Sequence, residues 1–326
     1  MSARILVTQH IPDAGLALLR AVGDVALDIN PTSGAIWTPA ELRAQAPGHD
    51  YLLCLLTDQI DAALLKAGAR GTPPLRLVAN MAVGYNNIDL EAARRLGILV
   101  TNTPGVLTDA TADLTLALLL AVARRIPEAD RFTRAGRYTG WQPLLLLGAE
   151  LGGKTLGIVG MGRIGRAVAR RALGFGMSTL YAAHQPLPGD EERALNASFA
   201  PLEEVLRRAD FLSLHVPYTP QTHHLLNAAA LARMKPEAYV INTARGPIID
   251  EAALVAALQA GRLRGAALDV FEDEPRIHPA LLQMEQIVLA PHIGSATHET
   301  RARMATTAAA NILAHLRGET PPNLVP

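Results

Sequence analysis

TLGIVGMGRIGRAVARR, residues 155–171, is the stretch of sequence that most clearly predicts the fold of this chain. A short apolar run leads into the pattern G-x-G-x-x-G, formed by Gly160, Gly162 and Gly165, and a helical pattern follows. Glycines at this spacing allow a tight turn and let the backbone approach a pyrophosphate, which the free N–H groups at the helix start attract. The stretch predicts a strand, a turn and a helix that bind a dinucleotide. It begins halfway along the chain, so the preceding residues need a separate explanation.

The whole chain has the size and composition of two ordinary folded domains. Its 326 residues are 49% hydrophobic and 18% charged, and the formal net charge is zero. That balance gives no argument for nucleic acid or an anionic membrane, and the longest apolar stretch, residues 114–123, is too short to span a bilayer. We expect a cytoplasmic protein with neither partner. The histidines and the single cysteine, Cys54, show no metal-ligand spacing, and the apolar run around Cys54 predicts its burial.

Short apolar runs alternate with helical patterns along the chain. The first set of runs covers residues 3–9, 51–57, 75–81 and 98–102. The second set covers residues 156–160, 178–182, 211–216, 238–243, 266–271 and 286–291. Such strands, joined by helices, indicate parallel sheets that are buried on both faces. Two sets predict an α/β protein with two Rossmann-like or flavodoxin-like domains.

The residue expected to hold the ribose of the dinucleotide is missing. A site that prefers NAD places Asp or Glu at the end of the second strand after the glycine turn. Here the position holds Ala183, followed by His184. No carboxylate remains to repel a 2′-phosphate, and a histidine can donate a hydrogen bond to one. His184 as an ordinary solvated residue is the alternative. The sequence favours NADP (as NADPH) and leaves NAD as the alternative cofactor.

Candidate acid–base groups follow three of the later strands. Arg245 stands in INTARGPIID, four carboxylates that include Asp269 and Glu274 stand in ALDVFEDEP, and His292 stands in LAPHIGSATHE. Ligands of an open parallel sheet bind outside the carboxyl ends of its strands, so we expect these groups to face one crevice. Arginine suits a carboxylate, and a histidine that is paired with a carboxylate has a raised pKa and delivers a proton near neutral pH. With a nicotinamide alongside, the set fits hydride transfer to the carbonyl of a 2-keto acid.

The irregular stretch RAGRYTGWQPLLLLGAELGG, residues 134–153, contains Trp141 and the leucine run Leu144–Leu147. Four leucines outside a regular element are either ordinary core or the cover for a partner subunit, and the second interpretation is favoured.

Taken together, these motifs resemble the D-2-hydroxyacid dehydrogenase family over nearly the whole chain. The resemblance is carried by VGYNNIDLEAA (83–93), TNTPGVLTDATAD (101–113), GIVGMGRIG (157–165), HVPYTPQTHHLLN (215–227), INTARG (241–246), LDVFEDEP (268–275) and PHIGSATHETR (291–301). Within the family, VLTDATAD, PHIGSAT and the closing LRGETPP look most like the glyoxylate/hydroxypyruvate reductase branch.

The resemblance implies how the chain is divided. A substrate-binding domain is formed by residues 1–100 and 292–326, and a dinucleotide-binding domain, residues 101–291, is inserted into it. The active site is then the cleft between the two. The stretch around Trp141 matches the dimerisation arm of the family, which implies a homodimer in which Trp141 could reach the active site of its neighbour.

The resemblance also assigns roles to individual residues. His292 is the acid–base, Glu274 orients it and tunes its pKa, and Arg245 binds the carboxylate and keto oxygen of the substrate. Val83 and Gly84 match the loop whose backbone N–H groups also hold that carboxylate. The positions that match cofactor-binding residues are Thr108, Gly160, Gly162, Arg163, Ile164, Gly165, Val216, Pro217, Thr222, Thr243, Ala244, Asp269 and Gly294. The implied reaction is the reduction of small 2-keto acids, glyoxylate to glycolate and hydroxypyruvate to D-glycerate, without a metal.

Departures from the family pattern leave alternatives open. NADPH-using reductases of this branch often carry arginine where His184 stands, so recognition of the 2′-phosphate is weaker than in the pattern. Oxidation of D-lactate, another D-2-hydroxyacid, or phosphite is compatible with the same motifs. So is a relative that only senses the dinucleotide and acts as a scaffold, because such proteins share the fold.

Overall fold

The computed structural model describes residues 2–32 and 34–326. The chain divides into two compact units. The first unit consists of residues 1–107 and 295–326, and the second consists of residues 108–294. The second unit is therefore inserted into the first. No helix among the described residues is long and apolar enough to cross a membrane.

The first unit contains a five-stranded sheet in the order β2-β1-β3-β4-β5, with all pairings parallel. Its strands are β1 (Ala3–Val7), β2 (Val25–Ile29), β3 (Tyr51–Cys54), β4 (Leu77–Asn80) and β5 (Leu99–Thr101). Its helices are α1 (Asp13–Arg20), α2 (Pro39–Gln45), α3 (Ala62–Ala69), α4 (Leu90–Arg95) and the C-terminal α12 (His298–Leu316). This strand order is that of the flavodoxin-like fold.

Successive apolar side chains along the strands of the first unit point to opposite faces of the sheet, and both faces are buried. Ile5 and Val7 of β1 pack with residues of α1 and α12, whereas Leu6 between them packs with residues of α2, α3 and α4. Successive side chains of a strand point to opposite faces, so a continuous apolar run serves both layers of helices. Cys54 at the end of β3 is buried, as predicted, and burial raises the pKa of its thiol well above the ordinary value.

The second unit contains a seven-stranded parallel sheet in the order β12-β11-β10-β9-β6-β7-β8. Its strands are β6 (Thr155–Val159), β7 (Ser178–Ala182), β8 (Ala197–Phe199), β9 (Phe211–Leu214), β10 (Tyr239–Asn242), β11 (Gly265–Leu268) and β12 (Ile287–Leu289). Its helices are α5 (Thr108–Ala123), α6 (Ile126–Arg134), α7 (Arg163–Ala172), α8 (Gly189–Ala194), α9 (Leu202–Arg208), α10 (Ala228–Leu231) and α11 (Glu251–Gln259). The order reverses beside β6, as in dinucleotide-binding Rossmann folds.

The predicted α/β class with two parallel sheets is confirmed. The unit boundaries lie a few residues from the predicted ones. Residues 101–107 belong to the first unit, where Val106 and Leu107 pack against its core, and residues 292–294 belong to the second. The sequence prediction also missed β2 and β8. Both are edge strands without a continuous apolar run, and every residue of β2 is half-buried.

The contact between α1 and α12 leads to a stability prediction. A Cβ atom at Gly15 of α1 would lie 2.8 Å from the Cβ and 2.9 Å from the backbone of Ala305 in α12. Gly15→Ala adds about 1 kcal/mol of helix propensity, but overpacking of this kind costs about 1–3 kcal/mol. We therefore expect a net loss of unfolding free energy and a lower Tm, measured by circular dichroism.

Gly23→Ala in the same unit is the control, because a Cβ there would meet no atom within 4 Å. We expect its unfolding free energy to stay within about 0.5 kcal/mol of that of the parent. Equal stability of the two variants would contradict the packing argument.

Candidate active site

The glycine turn joins β6 to α7 in the predicted way. Gly160 has a φ of 98°, and a Cβ there would lie 2.7 Å from the carbonyl of His215, so only glycine fits the position. Gly162 is the N-cap of α7, a ten-residue helix. A Cβ at Gly162 would meet no atom within 4 Å, so its backbone borders open space. A helix N-terminus beside an open backbone suits a pyrophosphate, and the residues present therefore fit a dinucleotide.

The end of β7 carries no acid. The strand ends at Ala182, and the half-buried Ala183 and exposed His184 follow it. Gln185 and Pro186 come next, so residues 183–186 contain no carboxylate that could repel a 2′-phosphate. The surroundings of this loop fit NADP as well as NAD.

Arg245 lies in a turn after β10 that a buried asparagine holds in shape. The side chain of Asn242 accepts a hydrogen bond from the N–H of Ala244 at 3.0 Å and donates one to the carbonyl of Arg245 at 2.9 Å. Burial lowers the pKa of the Arg245 guanidinium, and the charge of Glu274 opposes that shift. A guanidinium stays charged at neutral pH even so, which keeps Arg245 a cation that can bind a carboxylate.

The buried carboxylate of Asp269, just after β11, holds the loop that carries His292. Its two oxygens accept hydrogen bonds from the backbone N–H groups of Ile293 at 2.7 Å and Gly294 at 2.8 Å. The N–H of His292 donates to the carbonyl of Asp269 at 2.8 Å. Burial raises the pKa of Asp269, although these N–H groups and His292 oppose the shift. The loop places His292 at a φ of 55°, which is uncommon for a residue with a side chain.

His292 and Glu274 form a pair. Nδ1 of His292 lies 2.9 Å from Oε2 of Glu274, and Oε1 of Glu274 accepts the N–H of Phe271 at 2.9 Å. Burial raises the pKa of Glu274, but His292, the Phe271 N–H and Arg245 together outweigh it, so the net shift is downward. Glu274 is therefore an anion at neutral pH and forms a hydrogen bond with Nδ1 of the imidazole. Nε2 is left as the nitrogen that can exchange a proton with a ligand.

The second unit thus brings a cation, a carboxylate and an imidazole to the carboxyl ends of neighbouring strands. Arg245 follows β10, Asp269 and Glu274 follow β11, and His292 follows β12, in adjacent positions of the sheet. The set can bind an anion and deliver a proton. Within the described residues, no group of three or more His, Cys, Asp or Glu side chains could hold a metal ion.

The remaining predicted cofactor residues of the second unit lie at the starts of helices or in loops after strands. Thr108 is the first residue of α5, and Arg163 and Ile164 begin α7 behind Gly162. The hydroxyl of Thr243 lies 2.9 Å from that of Thr115, beside Ala244.

Two further groups of predicted residues are held by threonine side chains. Val216 and Pro217 follow β9, where the hydroxyl of Thr222 donates to the carbonyl of Pro217 at 2.7 Å. The buried Gly294 accepts a hydrogen bond from Thr111 at 3.1 Å.

Val83 and Gly84 lie in the loop after β4 of the first unit, where both are half-buried. Asn102 donates to the carbonyl of Val83 at 2.8 Å, and Asn80 donates to that of Gly84 at 2.9 Å.

Sequence reasoning missed the residues that support the site. Asn80 and Asn242 are buried polar side chains at the last positions of β4 and β10. His215 follows β9 and pairs with Ser213 at 2.8 Å, and burial lowers its pKa to about 4, so it is neutral. The available signal was a polar residue that closes an apolar strand, since buried polar groups need partners.

Comparisons with known proteins agree with this arrangement. The family model of the D-isomer specific 2-hydroxyacid dehydrogenase NAD-binding domain matches residues 116–294, more than half of the chain. The chain is 47% identical to a glyoxylate reductase of Thermococcus litoralis, over 100% of this chain and 97% of that one. The chain belongs to the D-2-hydroxyacid dehydrogenase family, whose members are NAD(P)-dependent oxidoreductases, and the predicted resemblance is confirmed.

Solved structures give the same result. The TT0316 protein of Thermus thermophilus superposes with a TM-score of 0.91 at 48% identity, covering 99% of this chain and 100% of that one. An NADPH-dependent glyoxylate/hydroxypyruvate reductase of Sinorhizobium meliloti, in complex with NADP and malonate, has a TM-score of 0.84 at 35% identity, covering 100% and 97%. The fold is therefore shared over the full length of both proteins.

Proposed function

We propose that the protein reduces small 2-keto acids, glyoxylate to glycolate and hydroxypyruvate to D-glycerate, with a reduced nicotinamide dinucleotide. The observation that carries the proposal is the His292–Glu274 pair beside Arg245, at the edge of a dinucleotide-binding sheet. Relatives over the full length are named glyoxylate reductases, which supports this substrate class.

Substrate binding and proton donation are carried out by different groups of the site. Arg245 and the backbone N–H groups of Val83 and Gly84 bind the carboxylate of the keto acid. His292 donates the proton from Nε2 to the keto oxygen, while Glu274 fixes the ring through Nδ1. A bound reduced nicotinamide supplies the hydride to the carbonyl carbon. Hydride plus proton convert the keto group to a hydroxyl, so the reaction balances without a metal.

The remaining predicted residues form the cofactor site in this proposal. The turn at Gly160, Gly162 and Gly165 holds the pyrophosphate, together with the first N–H groups of α7. The adenine side is formed by Val216, Pro217 and Thr222. The nicotinamide side is formed by Thr108, Thr243, Ala244, Asp269 and Gly294.

His292→Asn tests the assignment of the proton donor. We expect kcat for glyoxylate with NADPH, followed by the loss of absorbance of the reduced nicotinamide, to fall about 10²–10⁴-fold, the usual contribution of general acid catalysis. The dissociation constant of NADPH, measured by fluorescence, should not change. Turnover close to that of the parent would remove His292 from the mechanism.

Glu274→Gln tests the role of the carboxylate beside His292, and Asp273→Asn is its matched control. Glu274→Gln removes the charge that holds His292 and should lower kcat about 10–100-fold, the value of a charged hydrogen bond. Asp273 directly precedes Glu274 but pairs with Arg276 at the surface, so Asp273→Asn should leave kcat unchanged.

If no keto acid is turned over by the parent, oxidation of phosphite or a dinucleotide-sensing role becomes the better explanation.

The lack of an acid after β7 supports NADPH as the preferred cofactor. We expect a lower KM for NADPH than for NADH. If His184 donates a charge-assisted hydrogen bond to the 2′-phosphate, His184→Ala should raise the KM for NADPH about tenfold. The KM for NADH should stay unchanged, which is the internal control.

Ala183→Asp should reverse the cofactor preference, because the new carboxylate repels the phosphate. Equal effects on both cofactors would argue against phosphate recognition at this loop.

We further propose that the protein is a homodimer whose interface includes the stretch around Trp141. Trp141 is 81% exposed, and Leu144 and Leu147 are 79% and 54% exposed, so these three side chains are not part of the core of this chain. A large exposed apolar patch marks an association surface, and a second copy of the chain would cover it.

Leu144→Asp tests this surface by placing a charge in it. Light scattering should give the mass of two chains for the parent and of one chain for the variant. Leu282→Asp is the control, because Leu282 is also exposed, at 55%, but lies in a separate turn of the second unit. A monomeric parent would contradict the proposal.

A further inference from the structure

The loop that holds Val83 and Gly84 is fixed by three hydrogen bonds to three consecutive carbonyls. The N–H of Thr103 donates to the carbonyl of Ala82 at 2.9 Å. The side chain of Asn102 donates to that of Val83 at 2.8 Å, and the side chain of Asn80 donates to that of Gly84 at 2.9 Å. The carbonyls of Ala82 and Val83 are therefore tied to the end of the neighbouring strand β5, and that of Gly84 is tied to the last residue of β4.

Fixing a carbonyl also fixes the N–H group of the next residue. In a planar trans peptide, the C=O and the following N–H point in opposite directions. The bonds from Thr103 and Asn102 therefore direct the N–H groups of Val83 and Gly84 away from residues 102–103. No described residue accepts a hydrogen bond from either N–H group. Two directed donors without a protein acceptor suit an anionic ligand.

Asn102 is itself held from two sides by the C-terminal part of the chain. Its carbonyl accepts a hydrogen bond from the side chain of Asn311 in α12 at 3.1 Å, and its N–H donates to the carbonyl of Asn323 at 3.2 Å. The side chain of Asn323 donates to that of Asn311 at 2.9 Å. Asn311 is fully buried, and its side chain bonds both Asn102 and Asn323, so a fixed side chain holds the network in place.

We propose that Asn102 is a positioning residue for the substrate, because its bond to the Val83 carbonyl aims the Gly84 N–H at the substrate carboxylate, and that Asn80 supports it by holding the Gly84 end of the loop. This inference rests on the proposed function, because the carboxylate of a 2-keto acid is the anion concerned. Neither asparagine needs to touch the substrate. Asn311 and Asn323 act through Asn102, so the C-terminal segment is part of the support of the substrate loop.

Asn102→Ala is the principal test, because Asn102 is only half-buried and the variant is expected to fold. Loss of an orienting hydrogen bond should raise the KM for glyoxylate and the dissociation constant of oxamate, a non-reacting analogue, about tenfold. Oxamate binding is measured by calorimetry in the presence of NADPH. The value of kcat should change less than about twofold, since the proton donor is untouched. The buried Asn80→Ala should act in the same direction.

Asn30→Ala is the matched control for loss of stability. Asn30 is also a buried asparagine after a strand of the same sheet, and it donates to the carbonyls of Thr8 at 3.0 Å and Ala35 at 3.1 Å. We expect a lower Tm with no change in KM or in oxamate binding. Dissociation constants for NADPH should be the same in all three variants.

The outcomes separate this inference from the proposed function. A parent that neither reduces glyoxylate nor binds oxamate would overturn the proposed function. A parent that does both, with an Asn102→Ala variant of unchanged KM and oxamate affinity, would overturn the positioning role alone. So would an Asn30→Ala variant that weakens oxamate binding as much as Asn102→Ala, because the effect would then be general.

Discussion

The candidate site depends on one buried carboxylate. The two oxygens of Asp269 accept hydrogen bonds from the backbone N–H groups of Ile293 and Gly294, and these two bonds tie the loop after β12 to the end of β11. These bonds help to hold His292 in its uncommon backbone conformation, together with the bond from its own N–H to the carbonyl of Asp269. Burial of the carboxylate has a cost in solvation, which its two hydrogen bonds offset in part. The loop that these bonds hold carries His292, which pairs with Glu274.

Similar supports recur at the carboxyl ends of both sheets. Asn242 holds the turn of Arg245 in the second unit, and Asn80 holds the loop of Gly84 in the first. In each case, the last residue of a buried strand is polar and directs its hydrogen bonds to the backbone of the following loop. Parallel strands place these loops along one edge, so a short polar side chain at each strand end is enough to shape the ligand-binding edge. The strand interiors remain free to be apolar.

The sequence predicts the parts of this molecule that are set by local patterns. Apolar runs bounded by turns located ten of the strands, and the glycine spacing located the turn at Gly160. β2 and β8 were missed because an edge strand is covered on one side only and does not need a continuous apolar run. The residue types at Arg245, Glu274 and His292 pointed to acid–base chemistry, but their pairing did not follow from spacing. The supports at Asn102 and Asn311 are 209 residues apart and become visible only when the chain folds.

Reduction of hydroxypyruvate is the most informative reaction to measure, because its product has a stereocentre and glycolate does not. The protein would be incubated with hydroxypyruvate and NADPH, and the glycerate formed would be resolved on a chiral column. We expect D-glycerate as the single enantiomer, formed in step with the oxidation of NADPH. L-glycerate, or no glycerate under conditions where the cofactor binds, would contradict this expectation.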